Sequence, residues 1–291
     1  MKNTFALLLI VLWCSSMVAM VQAADIANEC RTGGFYLGPQ AYSFKQYTFF
    51  EAVDKAKEAG CSVMEGYPGQ KLSPADETPF NHSAPMSVWI KAKLKLEATG
   101  VRLVNYGVVG FKDDAELVQI FDFAKLMNIP CVTMEPNPAT AETLDKIEKL
   151  VKQYNIKLAI HNHPKKENNP DYKYWDPNFV LSLVKDRDPR IGSGADTGHW
   201  LRSGVNPVAA LKILQGRVIS CHLKDLDAAA PKATDVVFGK GAANIAGILD
   251  ELKRQGFNGN IAMEYESNWE NNIVEIKQCV EFVRNYGKLN P

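Results

Sequence analysis

The sequence has no surplus of either charge: 33 Lys and Arg stand against 33 Asp and Glu, a formal net charge of zero. A chain built to grip a polyanion would carry a basic excess, so nucleic-acid binding is excluded as the expected function. Low-complexity tracts, Pro- or Ser-rich linkers and long runs of one charge are also missing, so nothing divides the chain into separate units. At 46% hydrophobic and 23% charged residues it is too apolar for a disordered chain and too lightly charged for a coiled coil. Histidine is scarce, five in 291 residues. Where those five fall therefore carries information.

One long apolar run exists, and it is at the start. Lys2 precedes a hydrophobic stretch from Phe5 to Trp13, followed by small residues ending in Val21-Gln22-Ala23. This is the pattern of a secretory signal peptide, residues 1–23, with cleavage after Ala23. The expected mature chain, residues 24–291, is exported to the periplasm or outside the cell, has no membrane segment, and is about 268 residues long, close to the ~250 of a single α/β barrel. Cys14 leaves with the signal, so an odd number of cysteines remains. Cys61, Cys131 and Cys221 sit in apolar runs as small core residues, which leaves Cys30 and Cys279 as the pair to test for a disulfide.

Between these ends one unit repeats. Eight β-rich runs begin near Phe35, Cys61, Val101, Pro130, Lys157, Ile191, Val218 and Asn260. They alternate with amphipathic segments such as Tyr47 to Ala59, Asp113 to Met127, Ala141 to Tyr154 and Ala242 to Gln255, whose apolar residues recur every three and four positions. Gly60, Gly100, Gly216 and Gly256 stand at helix-to-strand joints, where a left-handed residue ends a helix. Strands that are apolar throughout belong to a parallel sheet covered on both faces. Eight of them predict a single-domain (β/α)8 TIM barrel.

Chemistry in such a barrel gathers at the C-terminal ends of the strands. Those ends are polar here: Glu65, Asn105-Tyr106, Glu135, His161-Asn162-His163, Asp196 with His199, His222 with Lys224-Asp225, and Glu264 with Glu266. Four of the five histidines are among them, and only His82 is elsewhere. His161, Asp196, His222 and Glu264 come from four successive strands whose side chains point at one axis. So many ionisable groups are costly to hold together unpaired. A divalent ion such as Mn, Zn, Co or Mg resolves the conflict, and a mixed imidazole and carboxylate set suits it.

Asp196-Thr197-Gly198-His199-Trp200, Cys221-His222-Leu223-Lys224-Asp225, Gly239-Lys240-Gly241 and Met263-Glu264-Tyr265-Glu266 occur in that order on the expected strands. With them the chain, from about Tyr36 to Tyr286, resembles the sugar phosphate isomerase/epimerase group of xylose isomerase-like TIM barrels. In the related ketose 3-epimerases one metal is held by a Glu, an Asp, a His and a Glu on strands five to eight. The resemblance implies Asp196, His222 and Glu264 as ligands, and His199 as a substrate contact. On strand five this chain has His161 in place of Glu. Either His161 takes that ligand position or Glu135 on the adjacent strand supplies a carboxylate. In the epimerases the two Glu ligands also transfer the protons, so Glu264 is one expected catalytic group and His161, His163 or Glu135 its counterpart.

A metal bridging a sugar carbonyl and its neighbouring hydroxyl acidifies the carbon-bound proton between them. Return of that proton to the other face is epimerisation, return to the next carbon is isomerisation, and loss of a β-substituent is a lyase reaction. The expected function is an exported metal-dependent isomerase or epimerase of a free sugar or keto-sugar, since sugar phosphates are intracellular. A lyase of 3-keto-glycosides on the same scaffold is the runner-up. A non-catalytic sugar-binding barrel and an endonuclease IV-like phosphodiesterase, which needs more histidines than this chain has, stand behind it. His163, His199, Lys224 and Trp200 are expected substrate contacts, Lys224 having the alternative of pairing with Asp225 or another carboxylate. Tyr42, Tyr67, Tyr106, Tyr265 and Trp269 join Trp200 as aromatic residues near strand ends, able to stack on a sugar or simply to pack. Gly239-Lys240-Gly241 lacks the arrangement of a nucleotide loop and reads as a turn before a helix that can touch substrate.

Overall fold

A computed structural model describes residues 26–290, so the expected signal and its cleavage point lie outside the described residues. Eight strands form one parallel sheet. They are β1 (Tyr36–Pro39), β2 (Val63–Gly66), β3 (Arg102–Val109), β4 (Cys131–Met134), β5 (Lys157–His161), β6 (Ile191–Asp196), β7 (Val218–Leu223) and β8 (Asn260–Met263). Their order is β1-β8-β7-β6-β5-β4-β3-β2, each hydrogen-bonded in parallel to the next. A single bridge between Gln40 and Glu65 joins β2 back to β1.

A helix follows each strand: α1 (Phe49–Glu58), α2 (Met86–Thr99), α3 (Asp114–Leu126), α4 (Ala141–Tyr154), α5 (Pro177–Val184), α6 (Pro207–Ile213), α7 (Ile245–Arg254) and α8 (Ile273–Leu289). The local chemistry that starts and stops them is visible in the sequence. Thr48 and Glu51 form a reciprocal capping box on α1, and Gly100 ends α2 with φ +69°. The apolar faces of these helices pack on the outside of the barrel in one core that includes Phe49, Phe80, Phe121, Phe123 and Trp200. No helix among the described residues is long and apolar enough to cross a membrane.

The period of two along a strand decides what faces the lumen. Asp196 and His222 are register partners on β6 and β7, and His161 lies opposite Gly194, two residues before Asp196. The layer beneath them is made of small side chains. A Cβ on Gly194 would meet Ala159, Ser220 and Thr133 at 3.1–3.4 Å. The barrel therefore carries its large polar groups at the top of the lumen, on a tightly filled floor.

Three features depart from the sequence reading. A hairpin of Gln70–Ser73 with Asp76–Phe80 follows β2, in a segment too polar and too half-exposed to stand out as strand. A second small hairpin pairs Asp225–Leu226 with Asp235–Val236 after β7. Cys30 and Cys279 are both free thiols, correcting the disulfide considered for them. Cys279 is on the buried face of α8 in the main core, whereas Cys30 packs on the small cluster of Tyr36, Val63 and Val104.

Candidate active site

Asp196 is the pivot of the site. It ends β6 and is the N-cap of a short helix, Thr197–Arg202, where its Oδ1 accepts the His199 backbone N–H at 2.7 Å. Asn162, next to His161, clamps the Asp196 backbone from both sides, donating to its carbonyl and accepting from its N–H. With one oxygen capping the helix, the other, Oδ2, is left buried and without a hydrogen-bond partner. Around it stand His161 Nε2 at 3.6 Å, His199 Nε2 at 3.6 Å, His222 Nδ1 at 3.8 Å and Lys224 Nζ at 3.3 Å.

The four residues expected to converge do so. One ligand atom from each of His161, Asp196, His222 and Glu264 lies within 4.8 Å of the others. His161 has both ring nitrogens buried and without a hydrogen bond, Nδ1 3.5 Å from Glu135 Oε1 and Nε2 3.6 Å from Asp196 Oδ2, an arrangement that costs free energy unless something else binds there. Bonds of about 2.0–2.2 Å to a cation would set ligand atoms about 3.3–3.6 Å apart in a tetrahedron, close to the separations around Asp196 Oδ2. The donor set and its orphaned atoms therefore fit a divalent ion. Glu135 stands outside this group. It forms a second cluster with His161 and His163, its Oε1 taking His163 Nδ1 at 2.6 Å and the Tyr172 hydroxyl at 2.7 Å.

Charge in the site is compensated locally. Lys224 is fully buried, with Nζ 2.9 Å from Glu264 Oε2 and 3.1 Å from Glu266 Oε2. Burial alone would lower its pKa, but Asp196, Glu264 and Glu266 raise it well above the ordinary lysine value. Burial likewise pushes the Asp196 carboxyl up, and the surrounding imidazoles and Lys224 outweigh it, leaving it well below the usual carboxylate range. Glu264 follows the same balance, with Lys224 and His222 as the lowering partners. Arg202 extends the network, joining Glu266 at 2.8 Å and Asp235 at 2.9 Å.

Several expected contacts are placed differently. Lys224 takes its alternative of pairing with a carboxylate, and the partners are Asp196, Glu264 and Glu266, not its neighbour Asp225. Asp225 turns away and accepts the backbone N–H groups of Gly239, Gly241 and Ala243 at 2.8–3.0 Å. Trp200 is completely buried in the core beneath the short helix, so it offers no face to a sugar, a correction to its expected substrate contact. Tyr106 is buried too, with its hydroxyl held by His82. Tyr42, by contrast, meets Tyr67 and Trp269 edge-on at 5.0 and 5.6 Å on the loops after β1, β2 and β8. His199 is buried beside Asp196, and His163 keeps a half-exposed ring. Glu65 is the site residue that strand-end reasoning noted but did not use. It lies fully buried with Oε1 at 2.9 Å from His222 Nε2.

Residues 53–286 match the sequence profile of the xylose isomerase-like TIM barrel. The chain belongs to that family. Among solved structures, this xylose isomerase-like barrel is similar to an uncharacterized protein from Parabacteroides distasonis, with 31% identity and a TM-score of 0.69 over 86% of this chain and 98% of that one. A D-tagatose 3-epimerase-like protein shares the fold at 18% identity and a TM-score of 0.65, over 87% of this chain and 97% of the other. An inosose dehydratase of Mesomycoplasma hyopneumoniae is 29% identical over 139 residues, 46% of this chain and 41% of the relative. The chain spans less than half the length of the curated relatives it matches.

Proposed function

We propose that the chain is an exported, divalent-metal-dependent isomerase or epimerase of a free sugar or keto-sugar. The observation that carries this reading is the convergence of His161, Asp196, His222 and Glu264 around Asp196 Oδ2, which makes no hydrogen bond. These four residues would hold the ion, which when bound acts as a Lewis acid on a carbonyl and its adjacent hydroxyl. Glu264 would take the carbon-bound proton through Oε1, since Oε2 is engaged by Lys224. Lys224, held protonated, offsets negative charge developing on the substrate oxygens. His163, oriented by Glu135 at 2.6 Å, is the proton donor proposed for the other side. With His161 instead of a carboxylate on β5, proton transfer opposite Glu264 falls to this pair.

Tyr172 supports a second reading, the lyase. Its hydroxyl donates to Glu135 beside His163, which assembles a proton source suited to a departing β-substituent. The relative named an inosose dehydratase points the same way. Metal-free protein supplied with Mn, Co or Zn and unphosphorylated sugars or 3-keto-glycosides in deuterium oxide tests both readings. Deuterium gained at carbon with the substrate's atoms otherwise retained supports the isomerase or epimerase. Release of the substituent supports the lyase, and neither reaction, with no ion bound, sinks the metal-dependent reading. Export rests on residues 1–23, and the N-terminal sequence of protein recovered from the periplasm or medium tests it, Ala24 being the expected first residue.

A further inference from the structure

Glu65 ends β2, and β7, which carries His222, is three strands away around the barrel. The two side chains meet across the lumen, Oε1 to Nε2 at 2.9 Å, with both residues essentially free of solvent. The rest of the Glu65 carboxylate is held by neutral amides. Asn105 donates to Oε2 at 3.0 Å, Asn260 to Oε2 at 3.3 Å, and Gln40 to Oε1 at 3.4 Å. Those amides are themselves tied down: Gln40 also donates to the Gly107 carbonyl and Asn105 to the Thr133 hydroxyl, each at 2.7 Å. Among the described residues, His222 is the one side chain that forms an ion pair with Glu65.

The other face of the His222 ring looks into the candidate metal cluster, with Nδ1 3.0 Å from Glu264 Oε2 and 3.8 Å from Asp196 Oδ2. A neutral imidazole has one N–H to give, and two carboxylates compete for it. Glu264 already has the Lys224 ammonium at 2.9 Å, whereas Glu65 has only amide dipoles besides the imidazole. In the neutral ring, the form a metal ligand must take, the proton is therefore worth more at Nε2, facing Glu65, and Nδ1 on the side of Asp196 and Glu264 is the nitrogen left free for an ion.

We infer that Glu65 is a positioning residue for the metal centre: by accepting the Nε2 proton across the lumen, it fixes His222 in the tautomer whose Nδ1 can ligate a divalent ion. This rests on the metal-centre reading above. A carboxylate behind a ligating imidazole fixes both ring orientation and basicity, and its loss costs about 10–100-fold in metal affinity. Its place in the sequence hides this role, because nothing along the chain links position 65 to position 222.

The test titrates metal-free full-length protein with Co²⁺ by calorimetry, in the wild type, Glu65→Gln, His222→Asn and the double variant. Glu65→Gln keeps the shape but can turn its amide N–H toward Nε2, and a fall in Co²⁺ affinity of about 10–100-fold is expected. In the His222→Asn background the same change should cost nothing further. An affinity within twofold of the wild type, or an equal loss in both backgrounds, overturns the inference. Nitrogen-15 NMR of the imidazoles in metal-loaded wild type gives a readout that does not depend on any variant folding, with His222 expected as the Nε2–H tautomer. An Nδ1–H tautomer there overturns the inference. A wild type that binds no divalent ion overturns both this and the metal-centre reading, whereas a wild type that binds the ion and a Glu65→Gln that matches it overturn this inference alone.

Discussion

At the scale of single residues, the site works by dividing the two atoms of one side chain between two tasks. Asp196 caps a helix with Oδ1 and faces the cluster with Oδ2; His222 turns Nε2 to Glu65 and Nδ1 to Glu264. Glu264 has one oxygen engaged and one proposed for catalysis, so Glu264→Gln should lower turnover at saturating metal by about 10²–10⁴-fold, the size of a lost general base. The fold should stay intact by circular dichroism, and unchanged turnover would refute the role. Metal uptake should also depend on pH. Burial works to lower the His222 pKa, but Glu65 and Glu264 raise it well above the ordinary histidine value, so the metal-free protein favours the doubly protonated ring, and an ion must displace the Nδ1 proton while Nε2–H stays on Glu65. Affinity should therefore rise with pH through the neutral range, with net proton release in calorimetry run in buffers of different ionisation enthalpy. The residues that end strands were legible in the sequence because the barrel rule names their positions. The pairing of Glu65 with His222 and of Tyr172 with Glu135 was not, since contacts across the lumen or between loops leave no spacing signal. Trp200 misled for a related reason: its place after a strand end said nothing about which way the ring turns.

Among the elements, the short helix Thr197–Arg202 matters most, because it lies directly against the Lys224 stem. A Cβ added at Gly198 would sit 2.7 Å from Lys224 Cβ and Cδ, inside any tolerable contact. Gly198→Ala should push the lysine away from Glu264 and Asp196, at a cost of about 1–3 kcal/mol for overpacking a filled site. Denaturant unfolding measures that loss, and turnover should fall alongside it. Variant protein with both quantities unchanged would show that the helix can slide away without consequence. Helix ends were readable because caps and glycines are local: Gly60, Gly100, Gly216 and Gly256 all adopt positive φ, as their positions implied. The hairpin of Gln70–Ser73 with Asp76–Phe80 was missed because its exposed, polar alternation resembles a loop until Leu72 and Phe80 are seen buried against the core.

Over the whole molecule, eight strands and eight following helices close with one backbone bridge between Gln40 and Glu65, so the residue proposed to orient a metal ligand is also where the barrel's seam is joined. Metal and global stability should then be coupled. At a free Mn²⁺ or Co²⁺ concentration of about 100 times Kd, unfolding should be harder by about 2.7 kcal/mol, and chelation should reverse the gain in the thermal midpoint. An identical midpoint with and without the ion would argue that the cluster is merely structural. The barrel was legible because its repeat is carried by hydrophobic periodicity along the whole chain. The count of eight implied closure, but the place where the seam is joined has no pattern to read, being a one-residue bridge.

The carboxylate of Asp225 has a final consequence for what the barrel can admit. Loops after the seventh and eighth strands are where many such barrels seat a phosphate on free backbone amides. In the loop after β7 the Asp225 side chain occupies the N–H groups of Gly239, Gly241 and Ala243, so those three amides are not free to take a phosphate. A phosphorylated sugar would find these three donors already taken. Matched pairs of substrates should accordingly show kcat/KM favouring the free sugar over its phosphate ester, the selectivity being written into the chain as an internal mimic of the group it turns away.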